Sequence, residues 1–148
     1  MPSLLDERDR EAMLRRLALL TPSSERRWGN FSVGAMLCHL CESARMALGE
    51  LPVKSKNKRA FQTFPLKHLA LYVVPFPKGA PTARELLAGQ PGDFEADRMR
   101  LLALLQKLAS GKKEGPGPAH PLFGPLSRQE WGTLGYKHTD HHLRQFSA

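Results

Sequence analysis

The chain has 148 residues, 41% hydrophobic and 24% charged, which suits one globular domain over residues 1–148 that buries its core without disulfide or metal staples. No apolar run approaches the roughly 20 residues of a membrane span. The mixed acidic, basic and leucine-rich N-terminus lacks a secretory signal's apolar core and cleavage site, so the expected location is cytoplasmic. Lys and Arg outnumber Asp and Glu by 22 to 14, yet apart from Lys54, Lys56, Lys58 and Arg59 the basic residues are spread among acids. With no aromatic-interleaved basic stripe, a nucleic-acid partner is disfavoured.

In chain order, Leu4, Leu5, Met13, Leu14, Leu17 and Leu20 recur at helical spacing and predict a first helix, stopped by Thr21-Pro22-Ser23-Ser24. Ser32 is the expected N-cap of a second helix reaching Leu48, with an apolar face through Val33, Met36, Leu37, Leu40, Ala44 and Ala47, and Gly49 as its stop signal. Residues 49–60 are polar and basic. The apolar stretch from Phe61 to Val74 reads as a short helix within a long connection, with an extended run as the alternative. One helical turn through Glu85 and Leu86 precedes Asp93, which caps a third long helix burying Met99, Leu101, Leu102, Leu104, Leu105 and Leu108. The glycines and prolines between Gly111 and Leu126 predict no regular element. Ser127 and Glu130 have capping-box spacing and open a fourth helix carrying Trp131, Leu134, His138, His141, His142, Leu143 and Phe146. The fold class is therefore all-α, built on four principal helices.

Three of the six histidines fall within this last helix. Residues four apart share a helix face, so His138 and His142 can offer imidazoles to one ion while His141 points aside. A tight site needs a third donor, and His39, set mid-helix among apolar neighbours, is the candidate. Against this stands a plainer reading, with His138 and His142 on a solvated face and His39 a hydrogen-bonded core residue; H-x-x-x-H pairs recur on helices without metal. A second metal reading takes Cys38 and Cys41, which flank His39 in C-H-L-C, as thiolate ligands beside His138 and His142. Cys38 and His39 project about 100° apart on a helix, which disfavours it. Buried small hydrophobes in a reducing compartment suit the two thiols better. Cys41 still stands close enough to His39 to be a pocket candidate.

The strings M-L-C-H-L, H-P-L-F-G and E-W-G-T-L-G-Y-K-H-T-D-H-H-L-R-Q-F resemble the DinB/YfiT-like superfamily, and within it a branch defined only as a domain of unknown function. The resemblance runs from about Trp28 to Phe146, with no motif to anchor Leu51 to Arg98. It implies an antiparallel four-helix bundle with one long crossover, homodimerisation, and a divalent metal, zinc or nickel foremost, held by His39, His138 and His142. Asp140 and Gln145 are candidates for orienting the ligand rings. His120 is expected to lock its loop, with entry into the pocket as the alternative.

Characterised members of that superfamily include transferases and isomerases that use low-molecular-weight thiols such as bacillithiol, mycothiol or glutathione. The resemblance thus implies a metal-dependent enzyme acting on a small molecule, a thiol-dependent S-transferase or a hydrolase. The alternative is a non-catalytic, stress-related binding or dimerisation module whose three histidines are structural or vestigial. A metal-dependent nuclease is disfavoured, because no acidic cluster for magnesium is evident.

Overall fold

A computed structural model describes residues 1–56, 58–111 and 117–148. The described residues are predominantly helical. Four long helices, α1 (Glu7–Ala18), α2 (Val33–Ala47), α4 (Phe94–Ser110) and α5 (Arg128–Gln145), are joined by connections that include one short α-helical turn, α3 (Leu66–His68). Each long helix opens on a side-chain cap: Asp6, Ser32, Asp93 and Ser127 accept from the backbone N–H three residues on. At α5 the cap is reciprocal, with Ser127 N–H donating to Glu130 Oε2 at 2.8 Å, so two of the helix's orphan donors are satisfied locally. The end of α2 is equally explicit. Gly49 adopts φ +77, Gly49 N–H donates to the Met46 carbonyl and Glu50 N–H to the Arg45 carbonyl, which is the Schellman arrangement that glycine permits.

One boundary and one core residue of the long helices differ from expectation. The first helix starts at Glu7; Leu4 is fully buried, but from the preceding turn, where its N–H donates to the Gly132 carbonyl at 3.1 Å. Met99, expected in the core, is 61% exposed. The buried positions of α4 are Leu101, Leu105 and Leu108, a stripe of four-and-three spacing from which Met99, two residues before Leu101, is turned away. Leu102 and Leu104 pack partly buried against the same core.

The long connection is resolved as short helical pieces. A 3-10 turn at Arg59–Gln62 leads to α3, which runs on into a π-helical turn at Leu69–Val73, and a further 3-10 turn spans Arg84–Leu87. The extended alternative for the apolar stretch is thereby replaced. Phe64, Leu66, Leu69, Val73 and Val74 of this segment are exposed. Between Gly111 and Leu126, where no regular element was expected, Ala119–His120 pairs antiparallel with Gly124–Pro125; Gly124, at φ +67, permits the tight return. Gly115 and Pro116 of that stretch lie outside the described residues.

α2 packs against both α4 and α5, and α1 against α5. Buried apolar residues from these helices form one cluster, including Met13, Leu17, Leu37, Leu40, Leu101, Leu105, Leu134 and Leu143. Among the described residues, no helix is long and apolar enough to cross a membrane.

Candidate metal centre

His39 lies in the middle of α2, almost every turn of which is buried, and His138 and His142 lie one turn apart on the face of α5 that meets it. The three imidazoles point at one another through Nε2. His138 Nε2 stands 3.0 Å from His39 Nε2 and 3.2 Å from His142 Nε2, and all three ligand atoms fall within 4.8 Å of one another. Three nitrogens each bound to one ion at about 2.0–2.1 Å stand roughly 3 Å apart, so the spacing fits a shared cation.

For His39 and His142 the far side of the ring decides which nitrogen carries hydrogen. His39 Nδ1 is 3.1 Å from the Leu86 carbonyl oxygen, which can only accept, so Nδ1 is the N–H and Nε2 presents a lone pair. For His142 the logic runs through Gln145. The Gln145 Nε2 donates to the Trp28 carbonyl at 2.7 Å, which turns its Oε1 toward His142 Nδ1 at 2.9 Å; His142 Nδ1 is therefore also the donor. Two lone pairs thus converge on His138 Nε2, which can donate one hydrogen at most. A cation between the rings satisfies all three nitrogens, and protein hydrogen bonding alone does not.

Burial pushes the His39 imidazole below its ordinary pKa, against the Leu86 hydrogen bond. It pushes His142 down to about 4, against the hydrogen bond that His142 donates to Gln145. His138 lies well below its ordinary value, through burial first and the neighbouring imidazoles second. All three are accordingly neutral at neutral pH, the form that binds metal. Aromatic side chains fix their planes: Phe31 stacks on His39 with centroids 5.1 Å apart, and Phe76 on His138 at 5.2 Å.

The remaining candidates divide. Gln145, a candidate for orienting a ring, holds His142 Nδ1 through its Oε1. Asp140 does not: it pairs with Arg16 at 2.6 Å and Arg144 at 2.9 Å, tying α1 to α5. His141 turns aside from the three nitrogens to lie edge-on to Trp28 and tilted against Phe76, while still lining the same cavity. Cys41 faces α4, its Sγ 3.8 Å from the Asp97 carbonyl, and burial pushes its thiol up to about 12; Cys38 Sγ lies 3.7 Å from Asp97 Oδ2. Neither sulfur joins the cluster, so the C-H-L-C zinc reading is not assembled. His120 locks its loop, its Nδ1 accepting from the N–H groups of Leu122 and Phe123, and also lines the cavity.

The sequence did not reveal the Leu86 carbonyl, a backbone atom with no side-chain signature, nor Phe31 and Phe76, aromatics in irregular segments. Gly29 was also missed. At φ +75 it brings the Trp28 carbonyl onto Gln145, and a Cβ there would stand 2.6 Å from Gln145 Nε2.

The cluster opens on a cavity of about 890 Å³ walled by Phe31, Leu40, Phe76, Leu86, Phe123 and Leu134, among others. That size and a mainly apolar lining with few polar groups are characteristic of small-molecule sites. What fold and site define is a predominantly helical protein with a three-histidine cluster able to hold a metal ion beside an apolar cavity. The profile of the family described as "Protein of unknown function (DUF1569)" matches residues 2–148, and the chain belongs to that family. Neither curated proteins nor solved structures gave a match.

Proposed function

We propose that this protein is a divalent-metal-dependent enzyme acting on a small molecule, as a thiol-dependent S-transferase or a hydrolase, with His39, His138 and His142 as the metal ligands. The four long helices are read as an antiparallel DinB-like bundle whose crossover is the connection between α2 and α4. The observation that supports this most is the convergence of three Nε2 atoms, two with their Nδ1–H committed to carbonyl oxygens, at the wall of a large apolar cavity. A closed structural site surrounds its ion with four protein ligands, whereas three histidines leave positions open. When bound, the ion supplies Lewis acidity, lowering the pKa of a water or thiol or polarising a substrate carbonyl.

The protein's own groups do the positioning. The Leu86 carbonyl and Gln145 hold two rings in the ligating tautomer. Phe31 and Phe76 restrict ring rotation, and the apolar walls reduce competition from water. Imidazole donors accept zinc, nickel, copper or iron, of which zinc and nickel are the first to test.

Elemental mass spectrometry on protein purified without a histidine tag tests the reading. Near-stoichiometric divalent metal is expected, lost in His138→Ala with most helix content retained by circular dichroism. A protein that stays metal-free after reconstitution, or a variant with unchanged affinity, would replace this reading with the non-catalytic binding module.

A further inference from the structure

The cavity is asymmetric in a way the metal site does not explain. Trp131, Leu134, Gly135, His138 and His142 line it from one stripe of α5, and the seven-residue step from Trp131 to His138 rises roughly 10 Å along the helix. At the Trp131 end stands His120, its ring 5.6 Å from the indole. Because its Nδ1 accepts two backbone N–H groups, the ring's hydrogen is on Nε2, and His120 remains a donor. Lys56 is fastened beside it, its backbone N–H donating to the Pro121 carbonyl at 2.8 Å. The Lys56 ammonium is close enough to join burial in lowering the pKa of His120. Lys56 and Lys58 are the sole formally charged residues among the described lining, which contains no Asp, Glu or Arg. Lys56 Nζ donates to the Pro81 carbonyl at 3.1 Å, a neutral acceptor. Neither lysine forms an ion pair among the described residues.

A cationic ligand would meet uncompensated positive charge here, and a wholly apolar one would leave the His120 donor unused; an anion is complementary to both. We infer that the cavity binds an amphipathic organic anion, with its charged group at Lys56, Lys58 and His120 and its apolar body along α5 toward the three histidines. This rests on the proposed function only for what happens at the far end: the reactive group of the substrate then lies some 10 Å from its charge, separated by an apolar chain or ring.

The test uses octanoate and 1-octanol as probes, matched in chain length and differing in charge. Both are titrated calorimetrically into wild-type protein made metal-free with a chelator, so that a carboxylate has no metal to bind. Octanoate is expected to bind at least tenfold more tightly than octanol. The preference should fall to within twofold in the Lys56→Met/Lys58→Met variant, which changes two exposed side chains, and should shrink in His120→Gln. Equal binding of the two probes, no octanoate binding, or a preference unchanged in the lysine variant would overturn the inference. Metal content is measured separately. A protein that takes up no metal but shows the lysine-dependent preference would refute the metal-enzyme reading and leave the anion site standing, and the reverse combination would do the opposite.

Discussion

The amide of Gln145 is engaged at both ends, its Nε2 donating to the Trp28 carbonyl and its Oε1 accepting from His142 Nδ1. Leucine in its place keeps the volume but leaves the His142 Nδ1–H and the Trp28 carbonyl without these partners, and the ring loses its orientation. Partners of this kind typically matter by roughly 10–100-fold in metal affinity. Gln145→Leu is expected to weaken zinc binding by that factor in competition with a chromophoric chelator; unchanged affinity would show that Phe31 and the helix backbone suffice to aim the ring. Gln145 stood in the sequence only as a candidate beside Asp140, whereas His138 and His142 were legible as a pair, being four apart on one helix. The Leu86 carbonyl was not: it comes from a 3-10 turn 47 residues from His39, and backbone acceptors leave no trace in residue identity. Asp140 was a candidate because a carboxylate beside histidines reads as their partner, whereas the arginines that hold it lie on α1 and one turn along α5.

α5 owes its position to a glycine as much as to its apolar stripe. Gly132 is buried where the N-terminal segment crosses the helix; a Cβ there would stand 2.5 Å from Ser3 Oγ and 2.7 Å from Leu5 Cγ. Alanine would gain up to about 1 kcal/mol of intrinsic helix propensity. Overpacking against that crossing typically costs about 1–3 kcal/mol, and the loss should prevail because Leu4 on the same segment is fully buried and its N–H is bonded to the Gly132 carbonyl. Gly132→Ala is therefore expected to lower the urea midpoint, with m unchanged, whereas a stabilised variant would mean that the N-terminal segment yields easily. Helix ends were largely legible, since Ser32, Asp93 and Ser127 announce themselves by side-chain chemistry that acts within three residues. Met99 and the true start of α1 were not, because both depend on which neighbour covers the element. A leucine buried from a turn and one buried from a helix give the same apolar spacing.

Across the whole molecule, five buried or partly buried imidazoles are held neutral by the fold, His141 among them, lowered chiefly by burial. His120 and His142 are pushed down to about 4, and His39 and His138 lie below their ordinary values as well. In the unfolded chain each reverts to about 6.5. Between those limits the unfolded state binds more protons than the folded one, so stability is present above pH 6.5 and falls as the pH drops toward 4. Two histidines titrating across that window contribute a slope of roughly 2–3 kcal/mol per pH unit. Against a total of about 5–15 kcal/mol for an ordinary domain, this predicts that the metal-free protein unfolds in acid before the carboxylates are fully protonated. Urea midpoints at pH 7, 6 and 5 should fall steadily, and less steeply in His120→Gln; a flat profile would mean that these rings are solvated in the native state. Zinc at 100 times its dissociation constant should add about 2.7 kcal/mol at pH 7. Because protons compete with the ion for the same Nε2 atoms, that increment should itself vanish on acidification. The zinc increment should therefore largely persist down to pH 5 and be lost toward and below pH 4, where His142 protonates in the folded protein, whereas an increment that survives well below pH 4 would place the zinc on ligands other than these histidines.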